Sequence, residues 1–178
     1  MDSKISEDQI KKAVKELGEE ILLSEGMAAE KGYLQHGFTS VYEHSFSVAA
    51  YCLKLSRMLS LDVDESSLVR GALLHDYFLY DWHVPDKSHR LHGFTHPQAA
   101  LRNAERDFSL NHIERNMISS HMFPLGVSLP IYRESIILCI SDKICATGET
   151  AASVSAGIER LGLLIAGLKN GFRISDLL

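Results

Sequence analysis

The chain has 178 residues, 46% of them hydrophobic and 23% charged, with a formal net charge of −5. That is enough chain to bury one sizeable core, and the acidic balance removes the electrostatic case for a nucleic-acid polymer or an anionic membrane as partner. No apolar run reaches the roughly 18 residues a membrane-spanning helix needs, and the charged opening, MDSKISEDQIKKAVKEL, lacks a signal-peptide apolar region.

Ile10, Val14, Leu17 and Ile21 recur at helical spacing, which predicts a helix over 7–23. KGYLQHGFTS, with two glycines, reads as a connector. Ser40 with Glu43 three residues on forms a capping-box pattern and predicts a helix over 41–59. SLDVDESS is a second connector, in which Asp64 can cap a helix over 65–79. Residues 81–95, DWHVPDKSHRLHGFT, form a polar loop. Pro97 suits the first turn of the next helix, which runs to Phe108. Further helices are predicted over 110–121, 131–147 and 150–169, with PLGVSLP as a loop and GFRISDLL closing the chain. No strand pair and no repeat is evident. The expectation is a single all-α domain: N-terminal helix and connector over 1–34, core over 35–150, C-terminal helix over 151–178. Cys52, Cys139 and Cys145 lie in apolar segments without CxxC spacing, and are expected to be buried free thiols of a reducing cytoplasm. The stretch GIERLGLLIAGL is amphipathic, with core packing the default role and a dimer face the alternative.

Three polar residues fall on apolar stripes. His44 has Val41, Val48, Cys52 and Leu55 on its face; His75 has Leu68, Ala72 and Leu79; Asp142 has Leu138, Cys139, Cys145 and Ala146. A buried carboxylate or imidazole needs a partner. A divalent cation held between the helices would satisfy all three together. A lone histidine on an apolar face is more often a hydrogen-bonded core residue, so His44 by itself decides nothing. The ordered set of His44, His75–Asp76, His96, His121 and Asp142 decides more.

That set, carried by YEHS, ALLHDY, FTHPQAA, ISSHMF and ISDKICA, resembles the HD-domain metal-dependent phosphohydrolases over about residues 35–150. The resemblance implies that His44, His75, Asp76 and Asp142 hold a first metal and that His96 and His121 hold a second, with Asp76 bridging. It also implies that His75, Asp76 and Asp142 carry the catalytic step, through a hydroxide bridging two divalent transition-metal ions. Four imidazoles and two carboxylates suit iron or manganese. The six-residue version is similar to the binuclear members, among them cyclic-dinucleotide phosphodiesterases and symmetric dinucleotide hydrolases. The Gly-Lys that follows the HD pair in cyclic-di-GMP phosphodiesterases is absent, replaced by Tyr77 and Phe78, and Met122 stands where some relatives carry a second histidine.

The expected substrate is a small phosphorylated molecule, a nucleotide among the candidates, cleaved at a phosphate ester or anhydride. Lys87, His89 and Arg90 could meet its phosphate, and Trp82 or His83 could stack on a base or cover the site; a solvated loop is the plain alternative. Lys143 could face the pocket or solvent. Gln35 and His36 could reach the mouth of the site or merely connect elements. His112 reads as an exposed helix-start residue. Two other functions share the same ligands: a mixed-valent di-iron oxygenase and a non-catalytic metal-bound sensor. A homo-oligomer is compatible with all three.

Overall fold

The computed structural model describes residues 6–84 and 91–169. Helix α1 (Glu7–Leu17) opens at Ser6, whose hydroxyl accepts from the Gln9 amide while the Gln9 side chain accepts from the Ser6 amide. The helix expected over 7–23 is broken in two. Gly18 ends α1 and precedes α2 (Glu19–Leu22), because the chain there runs against the core: a β-carbon on Gly18 would lie 2.3 Å from the Leu73 side chain. After α3 (Glu25–Glu30) comes a feature too short to leave a sequence signal. Strands β1 (Leu34–His36) and β2 (Thr39–Ser40) pair antiparallel, contrary to the expectation of no strand pair. Gly37 turns the hairpin at φ +61°, a conformation that favours glycine, and a β-carbon there would also strike the Ser153 hydroxyl.

The two capping signals hold. Ser40 and Glu43 cap each other at the start of α4 (Val41–Met58), and Asp64 accepts from the Ser66 and Ser67 amides at the start of α5 (Glu65–Leu74). Helix α5 stops five residues earlier than expected. Tyr77 and Phe78 are both buried, and their carbonyls take hydrogen bonds from the Asn103 side chain rather than from a continuing helix. Helix α6 (His92–Asp107) starts five residues before Pro97, which lies inside it near the N-terminus and so removes a single backbone bond. Asn111 and Glu114 form a third capping box at α7 (His112–Ser120), with His112 exposed at its first position.

Helix α8 (Arg133–Lys169) replaces the two helices expected over 131–147 and 150–169. Thr147 and Thr150 return their hydroxyl protons to the carbonyls of Lys143 and Ala146, so neither competes with the helix, and Gly148 costs only about 1 kcal/mol relative to alanine. The core lies between α4, α5, α7 and α8, with Leu53, Leu68, Leu73, Met117, Ile118 and Leu138 fully buried. Arg70 of α5 ties it together at the rim, pairing with Glu114 and Glu20 at 2.7 Å each. Cys52 and Cys139 are buried free thiols, but Cys145 is only half-buried, which corrects the expectation for that residue. Among the described residues no helix is long and apolar enough to cross a membrane.

Candidate metal centre

Each imidazole of the predicted set is fixed by its outer nitrogen. His75 and His121 occupy the C-cap positions of α5 and α7, where the last-turn carbonyls have no helical partner. Their Nδ1 atoms donate to the carbonyls of Ala72 (2.7 Å) and Ile118 (2.8 Å). His96, inside α6, donates from Nδ1 to the His92 carbonyl at 2.8 Å. A carbonyl only accepts, so Nδ1 carries a proton in all three rings, and Nε2 is the atom turned toward the centre. His44 is early in α4, where backbone carbonyls are already engaged. Its Nδ1 instead faces the two oxygens of Glu149 at 3.0 and 3.2 Å.

The inner nitrogens converge on two carboxylates. Asp76 Oδ1 lies 3.2 Å from His96 Nε2 and 3.4 Å from His121 Nε2. Asp76 Oδ2 lies 3.4 Å from His75 Nε2 and 3.9 Å from His44 Nε2. Asp142 Oδ1 closes the second group, 3.1 Å from His44 Nε2 and 3.7 Å from His75 Nε2. All six side chains are buried. Donors about 2.1 Å from one shared ion stand roughly 3.0–3.4 Å apart; four of the six distances fall in that range, and the two at 3.7 and 3.9 Å are wider.

The chemistry of these donors fits a cation. His96 Nε2 and His121 Nε2 are 2.8 Å apart with Asp76 Oδ1 alongside, so three potential donor atoms crowd one point. Among the described residues, His75 Nε2 and Asp76 Oδ1 are buried without a hydrogen bond of good geometry. A divalent ion supplies the positive charge that such an arrangement lacks. The local electrostatics agree. Burial alone would raise the carboxyls of Asp76 and Asp142, yet the surrounding imidazoles hold both well below the usual carboxylate range. Burial pushes His44 down, but Asp142 and Glu149 more than reverse it, to about 10. Burial and the neighbouring His75 and His96 rings keep His121 below the ordinary imidazole range, against the pull of Asp76.

Beside the centre is a cavity of about 420 Å³, lined among others by His36, Trp82, His92, Met122 and Lys143 together with Asp76, His96, His121 and Asp142. Lys143 stands at its edge, with its ammonium donating to the carbonyls of His121 and Cys139 at 3.1 and 3.2 Å. Trp82 forms a wall. Its indole N–H donates to the Leu34 carbonyl, and its ring stacks on His92 and tilts against exposed His83. Lys87, His89 and Arg90 lie outside the described residues. Gln35 and His36 do reach the site: the β1 hairpin delivers the Gln35 amide to Asp76 Oδ2 and sets the His36 ring edge-on to His44. Glu30, at the end of α3, is fully buried with no hydrogen-bond partner on either oxygen among the described residues. Burial and the nearby charge of Asp76 raise its carboxyl well above the usual range.

Glu149 is the residue that sequence reasoning missed. A helix break expected near 147–150 took it off the ligand face. On an uninterrupted α8 it is two turns past Asp142 and therefore on the same side. A carboxylate behind a ligating imidazole fixes its orientation and makes it a stronger donor. Glu149→Ala is therefore expected to weaken manganese or cobalt binding about 10–100-fold, with Glu149→Gln intermediate. Metal titration checks this; equal affinity in wild type and Glu149→Ala would reduce the contact to packing.

A family model for the HD domain matches residues 41–147, a span that contains all six converging side chains. The chain belongs to the HD domain family, whose members are mostly metal-dependent hydrolases, and its clustered histidines and aspartates suit divalent metal binding. Comparison with curated proteins and with solved structures gave no match.

Proposed function

We propose that the protein is a metal-dependent phosphohydrolase with two divalent transition-metal ions, iron or manganese, acting on a phosphate ester or anhydride of a small metabolite or nucleotide. The observation that carries this reading is the division of labour on Asp76: one oxygen faces His96 and His121, the other faces His44 and His75. A carboxylate placed between two imidazole pairs is what a bridged binuclear centre requires. Such ions, when bound, supply the Lewis acidity that makes water a nucleophile at neutral pH and offsets charge on phosphoryl oxygens.

The chain's own residues do the rest. His44, His75, Asp76 and Asp142 would hold one ion, and Asp76, His96 and His121 the other. The Gln35 amide, donating to Asp76 Oδ2, fixes that carboxylate in its bridging orientation. The 420 Å³ cavity has room for a small phosphorylated molecule, with Met122 and Trp82 among its walls. Lys143 is placed to meet a phosphate at the cavity edge. Lys87, His89 and Arg90 follow Trp82 in the chain and are assigned the same role. Trp82, pinned to β1 and stacked on His92, is assigned to cover the site.

The test is phosphate release across a panel of nucleotides and sugar phosphates, with the protein loaded anaerobically with manganese. Turnover with manganese, no oxygen uptake, and loss on Asp142→Ala are expected. Turnover that requires iron and consumes oxygen in step with product would move the protein to the oxygenase reading. Metal binding with no turnover on any phosphorylated compound would move it to the sensor reading.

A further inference from the structure

Helix α8 has two faces with different chemistry. One carries Asp142 and Glu149 to the metal centre. The opposite face carries Ile136, Ile140, Ile144, Val154 and Ile158, each between 45% and 66% exposed. At 100° per residue these five fall within one quadrant of the helix, and Thr147 lies among them. The stripe is about 33 Å long. With the adjoining loop residues Leu129 and Ile131 it leaves roughly 700 Å² open to solvent, close to the ~800 Å² that one partner contributes to a stable protein interface. Patches on monomers are usually about 300–600 Å².

Four of the five stripe residues pair under reversal about Thr147, and Ile144 has Thr150 as its counterpart. Ile136 and Ile158 are each eleven residues from Thr147; Ile140 and Val154 are each seven. An isologous interface needs this property, because residue i on one copy meets residue j on the other while j meets i. The surface beside the stripe is also asymmetric in the matching sense. Around Ile136 and Ile140 there is a groove of about 560 Å³, walled by Phe123, Leu129 and Ile131. Val154 and Ile158 are the more exposed end of the stripe, at 58% and 66%. In an antiparallel pair each groove faces the more exposed end of the other helix; in a parallel pair groove would face groove.

We propose that this face is an interface between two copies of the chain, with their α8 helices packed antiparallel about a two-fold axis at Thr147. Ile140 of each copy then lies against Val154 of the other, and Ile136 against Ile158. Isoleucine and valine lose little rotamer freedom on burial, so the seam orders cheaply. The metal centres are on the outer sides of the paired helices, and the cavity beside each stays open.

Light scattering on the eluting protein should give twice the 19.8 kDa chain mass. Ile140→Lys and Val154→Glu, both at exposed positions, should each weaken the dimer at least about tenfold while leaving metal content and the helical circular dichroism of the folded chain unchanged. Combined on one chain they should restore it, because an antiparallel register puts each new lysine opposite a new glutamate. A wild-type protein that stays monomeric up to about 100 µM overturns the interface. So does a dimer indifferent to both single changes. A double variant that remains monomeric while each single change disrupts the dimer overturns the antiparallel register.

Discussion

Asp76→Asn is expected to lose metal from both halves of the centre at once, with affinity falling about a hundredfold or more. The reason is geometric. Asp76 is the only one of the six side chains that touches both imidazole pairs, through separate oxygens. An amide of the same shape keeps one weak acceptor and turns the other position into a donor aimed at imidazole nitrogens. His121→Ala, by contrast, removes one ligand from one pair, and should leave binding at the His44–His75–Asp142 group largely in place. Metal analysis after dialysis against limiting manganese separates these outcomes, with circular dichroism confirming that both variants fold. Retention of full metal content by Asp76→Asn would end the bridging assignment.

Removal of metal is expected to lower the melting temperature by roughly 10 °C. A ligand present at about a thousand times its dissociation constant stabilises by about 4 kcal/mol, and for a chain of this length each kcal/mol moves the midpoint by about 2–4 °C. The effect should be large because the donors are buried. Without a cation, His96 Nε2 and His121 Nε2 crowd each other at 2.8 Å, and His75 Nε2 makes no hydrogen bond of good geometry among the described residues. Thermal melts of protein stripped by chelator, verified metal-free and then reloaded with manganese, test this. Superimposable melts would mean that the six side chains are satisfied without metal.

Of the six converging side chains, His44, His75 and Asp142 were legible as polar residues on apolar helical stripes. Asp76, His96 and His121 have no such local signal and were legible only through the ordered set that resembles the HD domain family. Caps at Ser40 and Asp64 were legible because the signal is local and set by hydrogen bonding within three residues. What was not legible depended on contacts distant in sequence. The end of α5 is set by Asn103, some 25 residues further on, and the break at Gly18 by Leu73. The hairpin at 34–40 is too short for period-two alternation to register. Glu149 was lost to a helix boundary, since Thr147, Gly148 and Thr150 together read as a stop that the fold does not make. Trp82 lines the cavity, as its place in the chain between two of the six residues suggested; Lys143 lines it too, which the sequence left open because no local pattern distinguishes a pocket-facing lysine from a solvated one.

The anchoring of the imidazoles has a consequence for how such a centre can change over generations. Three of the four are oriented by main-chain carbonyls at Ala72, His92 and Ile118, and no single replacement of those residues' side chains abolishes a carbonyl. The fourth, His44, depends on the carboxylate of Glu149, encoded 105 positions away. One half of the centre is therefore insulated from point mutation in its supports, and the other half is adjustable through one codon. A lineage could retune the affinity of the His44 side for metal by drifting at position 149 while the fold, the helix ends and the His96–His121 side stay as they are.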